Sequence, residues 1–167
     1  PSTVKSGQVI ILENDGTNQF LPHVIADQVH RVTDVQAGDL DGDGDLDLSV
    51  AQFGYTQGAV EWFENVGDWK FDRHLLIERS GAIHAPIADI DQDGDLDIVS
   101  LLSQEWETVV AFVNNGKGEF MPEILHDVAD ADFSSSGITM ADLDQDGDQD
   151  VVWTNGDAFV SIDYRPL

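Results

Sequence analysis

Asp39-Leu40-Asp41-Gly42-Asp43-Gly44-Asp45-Leu46-Asp47 decides how this chain is read, because the same nine-residue string returns twice. It recurs as Asp89-Ile90-Asp91-Gln92-Asp93-Gly94-Asp95-Leu96-Asp97 and as Asp142-Leu143-Asp144-Gln145-Asp146-Gly147-Asp148-Gln149-Asp150. The pattern is D-x-D-x-D-G-D-x-D each time, with starts 50 and 53 residues apart. Five carboxylates in nine residues repel one another: at an effective dielectric of about 20, two charges roughly 4 Å apart cost about 4 kcal/mol. A folded loop holds them together when a cation sits among them. Oxygen donors without His or Cys point to a hard ion, Ca²⁺ ahead of Mg²⁺, since Ca²⁺ accepts a flexible shell of six to eight oxygens. Glycine at the sixth position permits the sharp turn.

The EF-hand loop also begins D-x-D-x-D-G, but it needs a Glu at its twelfth position and helices on both sides. Val50, Ser100 and Trp153 stand at that position here. The residues after each string are short, apolar and β-branched (Leu48-Ser-Val, Ile98-Val-Ser, Val151-Val-Trp), which predicts strand. The ninth Asp then serves as the closing carboxylate of a tighter loop set in a hairpin.

A second motif repeats in phase with the first. Asn14-Asp-Gly16-Thr-Asn-Gln-Phe20, Asn65-Val-Gly67-Asp-Trp-Lys-Phe71 and Asn114-Asn-Gly116-Lys-Gly-Glu-Phe120 follow one another at 49 to 51 residues. Each lies between two short apolar runs, as expected of a hairpin turn whose Asn and Gly tolerate positive φ. A third run leads into each acidic string (33–37, 83–87, 138–141) and a fourth leaves it. Four short strands in about 50 residues, with no sustained helical period, predict an all-β fold of four-stranded antiparallel β-propeller blades.

With these residues in view, the chain resembles the FG-GAP or VCBS-type repeat, the blade of integrin α-subunit propellers and of many secreted bacterial proteins. The resemblance rests on the three acidic strings and covers roughly residues 7–155; the family's Phe-Gly opening is present only as Phe53-Gly54. It implies Ca²⁺ bound by side chains at loop positions one, three, five and nine and by the position-seven carbonyl. Those positions are Asp39, Asp41, Asp43 and Asp47 with the Asp45 carbonyl, then Asp89, Asp91, Asp93 and Asp97 with that of Asp95. The third set is Asp142, Asp144, Asp146 and Asp150 with the carbonyl of Asp148.

The phase of the motifs predicts a single propeller segment over 1–167. It comprises an outer half-blade (about 7–31), two blades (about 32–77 and 82–126) and an inner half-blade (137–167). That is about three blades' worth, whereas propellers close with four to eight. Two arrangements remain open: a homodimer closing a six-bladed ring, or the remainder of a longer parent chain.

Net charge is −26, from 33 acidic and 7 basic residues, and 15 of those acids lie in the three strings. Nucleic acid is disfavoured as a partner, since no basic patch exists to displace counterions; anionic membranes are disfavoured likewise, and no run is long enough to insert. The chain has no cysteine, and it begins Pro1-Ser-Thr, as a processed or excised piece would. Ca²⁺ sites of this kind suit a secreted, extracellular or periplasmic setting.

For ligands, Trp106 between Glu105 and Glu107 is the candidate exposed aromatic, and His84 and His30 lie at the entry to inner strands. His23 and His74 share one repeat position and read as scaffold; Trp62 and Trp153 sit in apolar runs and read as core. No nucleophile elbow, zinc spacing or phosphate loop is present. The sequence therefore predicts a non-catalytic, calcium-stabilised adhesion or binding module for a protein or glycan ligand. Two alternatives stand beside it: the propeller of a secreted carbohydrate-active enzyme such as a polysaccharide lyase, and a self-assembling structural repeat without its own ligand.

Overall fold

A computed structural model describes residues 7–104, 106–127 and 135–155. Among the described residues all regular structure is β-strand, and no helix is long and apolar enough to cross a membrane. The tail over 156–167, read above as the end of the inner half-blade, and the side chain of Trp106 lie outside the described residues.

The strands fall into four antiparallel sheets. Among the described residues, β1 (Gly7–Asn14) pairs with β2 (Phe20–Val29) alone. β3 (Arg31–Gly38), β4 (Asp47–Phe53), β5 (Ala59–Asn65) and β6 (Phe71–Glu78) form a complete blade in sequential order. The next blade runs β7 (Ala82–His84) and β8 (Ile87–Ala88), then β9 (Asp97–Gln104), β10 (Trp106–Asn114) and β11 (Phe120–Asp127). Among the described residues, β12 (Ile138–Ala141) pairs only with β13 (Asp150–Trp153). Among the described residues, a two-stranded sheet, two complete blades and a second two-stranded sheet follow one another.

The second blade departs from the sequence expectation of one run over 83–87. Pro86 has no N–H for the ladder, so the innermost strand splits into β7 and β8, while the Pro86 carbonyl still accepts from the Val99 N–H at 2.9 Å. The outer hairpins share a finer feature. Register slips between Val9 and Ile10, between Val60 and Glu61, and between Val109 and Val110, the same place in each repeat. A bulge there adds twist to the outer pair.

The cores lie between blades. Phe63, Val50 and Leu48 of the first blade pack on Val9, Ala26 and Val29 of the preceding half-blade. Phe112, Ile98 and Val110 of the second blade pack on Val60, Trp62 and Ala51 of the first. Val99, Leu101, Val109 and Ala111 face Val151 and Trp153 of the last half-blade. Strand alternation thus sends one face of each blade to each neighbour, and a fully buried Phe such as Phe63 contributes about 1.5–3 kcal/mol. The acidic strings occupy the hairpins between the two inner strands, all at the same place in their blades.

Candidate metal-binding loops

Each acidic string folds by capping its own backbone. The position-one carboxylate accepts the N–H of the position-six glycine at 3.1 Å in all three loops: Asp39 from Gly44, Asp89 from Gly94, Asp142 from Gly147. Position three accepts from position five and position five from position seven, at 2.8 to 3.3 Å. These two-residue Asx turns wind the chain so that alternate carboxylates face inward. Positive φ is needed at position six (Gly44 96°, Gly94 97°, Gly147 101°) and also at position four (Gly42 77°, Gln92 62°, Gln145 66°). Loop one takes glycine at position four because a Cβ there would lie 3.1 Å from the Gly116 carbonyl of the next blade.

The winding gathers three clusters in which carboxylate oxygens lie within 4.8 Å of one another. They are Asp39, Asp41 and Asp43; Asp89, Asp91 and Asp97; and Asp142, Asp144 and Asp146. Among the described residues, no loop carboxylate pairs with Lys, Arg or His; the ion pairs engage Glu13, Glu61, Glu64 and Asp34 instead. One oxygen of Asp89, Oδ1, is buried without any hydrogen-bond partner. In loops one and three the corresponding carboxylate takes a second N–H, from Gly42 at 2.8 Å and Gln145 at 2.7 Å. A buried carboxylate oxygen left bare costs several kcal/mol, and a cation in the loop would remove that cost. The all-oxygen donor set fits a hard divalent ion.

The ninth Asp does more than close the loop. Asp47 and Asp97 are almost fully buried. One oxygen of each accepts from position two of its own loop (Leu40 N 2.8 Å, Ile90 N 2.9 Å). The other oxygen accepts the backbone N–H of the Asn that opens the outer turn, Asn65 or Asn114, at 2.8 Å. The turn Asn returns the contact: Asn65 Nδ2 donates to Leu46 O at 3.2 Å, and Asn114 Nδ2 to Leu96 O at 2.9 Å. Asn114 Nδ2 also reaches Leu40 O of the first blade's loop at 2.6 Å, tying the two loops together. A small cleft of about 230 Å³ lies between them, lined by Asp39, Gly42, Asp95 and Gly116 among others. Sequence reasoning treated Asn65 and Asn114 as turn formers only. Their fixed spacing behind each ninth Asp was the available signal.

Burial pushes the carboxyls of Asp47 and Asp97 up, against the downward pull of their two N–H bonds, and neighbouring Asp charges add to the rise. Burial also raises Asp41. In the third loop, the backbone N–H of Asp148 holds Asp146 low, while the side-chain bond to Asp146 pushes Asp148 up. A carboxyl raised on folding contributes stability that is fully present below its unfolded value and lost as pH rises through its folded value. Metal-free protein is therefore expected to melt higher at mildly acid pH than at neutrality. A bound divalent ion requires ionised ligands, so it should reverse the slope. Melting curves across pH with and without chelator check this; a metal-free chain that stabilises steadily toward neutral pH would contradict it.

The ligand candidates take separate places. Both nitrogens of His84 are engaged, Nδ1 with Asp34 Oδ2 at 3.3 Å and Nε2 with the Ser136 carbonyl at 3.0 Å. Asp34 also accepts from Ala85 N at 3.1 Å, so this pair joins inner strands of neighbouring blades. His30 sits between β2 and β3, its backbone N–H donating to Gln52 Oε1 at 3.1 Å. The backbone of Trp106 begins β10, at the end of its blade away from the acidic hairpin. His23 and His74 bond Glu13 and Glu64 at 2.8 Å and stack on Trp69 and Trp62, at 4.3 and 4.5 Å between centroids.

Comparison with known families agrees with this geometry. A family described as FG-GAP-like repeat matches residues 3–50 and 89–153, together more than half of the chain. No curated protein and no solved structure matches it.

Proposed function

The chain belongs to the FG-GAP-like repeat family, and from that premise we propose that it is a calcium-stabilised, non-catalytic propeller module that presents a binding surface outside the cell. The observation that carries the calcium reading is the bare, buried Oδ1 of Asp89 beside a cluster of carboxylates that has no ion-pair partner among the described residues. Ca²⁺ would be held by Asp39, Asp41, Asp43 and Asp47 with the Asp45 carbonyl, by Asp89, Asp91, Asp93 and Asp97 with that of Asp95, and by Asp142, Asp144, Asp146 and Asp150 with that of Asp148. The ion supplies charge neutralisation. The protein supplies the rest: the ninth Asp, already bonded to the outer turn, transmits the loop's order to the third and outer strands.

Three Ca²⁺ would bring the net charge from −26 to −20, and sites of this ligand type fill at extracellular calcium levels. The non-catalytic reading is supported at the inner strands. The Asp34–His84 pair, the arrangement most like a general base, has its far nitrogen committed to a main-chain carbonyl.

Two measurements test the proposal. Asp43→Ala, Asp93→Ala and Asp146→Ala should each lower the Ca²⁺ stoichiometry by about one; variants that all retain full stoichiometry would refute the ligand assignment. A screen against glycans and extracellular proteins should give binding that chelator abolishes. Binding that survives chelation would detach ligand recognition from the calcium loops, and turnover of a polysaccharide would replace the binding reading with the enzymatic one.

A further inference from the structure

The first blade opens where the second stays closed. In the second blade the two middle strands pair up to the hairpin end, Ser103 opposite Glu107 and Gln104 opposite Trp106. In the first, pairing stops at Gln52 opposite Ala59, and Gly54-Tyr55-Thr56-Gln57-Gly58 leaves the ladder as a loop. The shape of that loop is fixed. The Gly54 carbonyl accepts from Gly81 N at 3.1 Å and the Gly58 carbonyl from Arg79 N at 3.0 Å. A Cβ on Gly54 would overlap the Gln57 carbonyl, and one on Gly58 would lie within 2.7 Å of the Gln52 and Arg79 carbonyls.

We propose that this loop, with the arginines on either side of it, is a binding site for a carboxylated sugar, the uronic acid unit of an acidic polysaccharide. The inference deepens the binding reading above and rests on it.

Tyr55 supplies the platform, and it is 70% exposed. Its ring meets Phe53 in a T-shaped contact at 5.2 Å, and the Arg31 guanidinium lies 5.8 Å from the centroid of the same Phe53 ring. Arg31, Phe53 and Tyr55 thus form a row of cation, ring and ring. Arg79, also exposed, is joined through its main chain to the far end of the loop. An open aromatic ring receives the apolar C–H face of a sugar. A guanidinium takes a carboxylate through two parallel N–H bonds.

The charges point to an anion, even in a chain of net charge −26. Among the described residues neither Arg31 nor Arg79 forms an ion pair, whereas Arg73 holds Glu61 at 2.6 Å. The first acids met along β3 and β5 from this end are engaged elsewhere: Asp34 with His84 and Ala85 N, Glu61 with Arg73. The acidic loop lies at the other end of β4, whose 7 residues span roughly 20 Å. The Debye length at physiological ionic strength is about 8 Å, so the loop's charge is largely screened from the site. The size points to a sugar. One short loop and two side chains suit a small ligand, whereas a stable protein interface takes about 20–30 residues a side.

The test titrates the 167-residue chain, in Ca²⁺-containing buffer, with a galacturonic acid trisaccharide and with its methyl ester, which keeps the rings and removes the charges. The acid should bind, and the ester about tenfold more weakly. Tyr55→Ala, Arg31→Gln and Arg79→Gln should each weaken binding of the acid about tenfold, while Tyr55→Phe stays close to the parent chain. Tyr55 is exposed and lies off the ladder, so its two variants decide the matter even if Arg31→Gln, which loses its contact with Phe53, disturbs the fold. Equal binding of acid and ester, binding that Tyr55→Ala leaves intact, or no binding of the acid would overturn the proposal. If another glycan or a protein then binds in a chelator-sensitive way, this site alone falls and the module reading stands; a screen empty of every ligand removes both.

Discussion

Removing calcium should lower the melting temperature by roughly 15–30 °C. A ligand that binds only the folded state adds RT ln(1 + [L]/Kd), about 2.7 kcal/mol per site at a hundredfold excess over Kd. The described residues form three acidic clusters, so saturating Ca²⁺ would contribute about 8 kcal/mol. Domains of ordinary stability have about 5–15 kcal/mol in total. For a chain of this size each kcal/mol moves the midpoint by about 2–4 °C. The loss should be reversible on adding Ca²⁺, and Mg²⁺ should restore it poorly, because it demands a stricter octahedron of oxygens. Calorimetric scans in chelator and in millimolar Ca²⁺ check this. Superimposable scans would mean that the loops stand without an ion.

Substituting Asp97 should destabilise the protein with or without metal, and substituting Asp93 only with it. Asp97→Ala removes a proposed ligand and also strips the acceptors from Ile90 N and Asn114 N, both held at 2.8 to 2.9 Å in a buried setting. Each buried N–H left unpaired costs about 1–3 kcal/mol, so about 2–6 kcal/mol should be lost even in chelator. Asp93 is exposed and accepts only the N–H of its neighbour Asp95 among the described bonds. In chelator, Asp93→Ala should be neutral or slightly stabilising, since it relieves repulsion within the loop. Denaturant unfolding of both variants in the two buffers separates the metal-borne part of loop stability from the hydrogen-bonded part. Equal losses for the two variants in chelator would show that Asp97 does not brace the outer turn.

The sequence carried the blade architecture because its signals are local. The five-Asp string fixes the inner hairpin, and N-x-G-x-x-x-F fixes the outer one. Their alternation alone gives half a blade, two blades and half a blade. What it did not carry depends on contacts between one motif and another, within a blade or across blades. Nothing within the string marks Asp97 as the acceptor for Asn114, 17 residues on, or Asn114 as the donor to Leu40, 74 residues back. His84 was visible as a residue near an inner strand, but its engagement with Asp34 requires two blades to be set side by side. Pro86 was visible too, and only the ladder shows that it breaks the innermost strand instead of ending it. The bare oxygen of Asp89 has no sequence signature, since the corresponding carboxylates of loops one and three are satisfied by the same motif.

Isothermal titration of chelator-stripped protein with Ca²⁺ tests the central claim most directly. The account predicts about three ions per chain, with protons released when the titration is run at mildly acid pH as the raised carboxyls of Asp47 and Asp97 ionise on binding. A stoichiometry near zero, with the protein folded throughout, would contradict it.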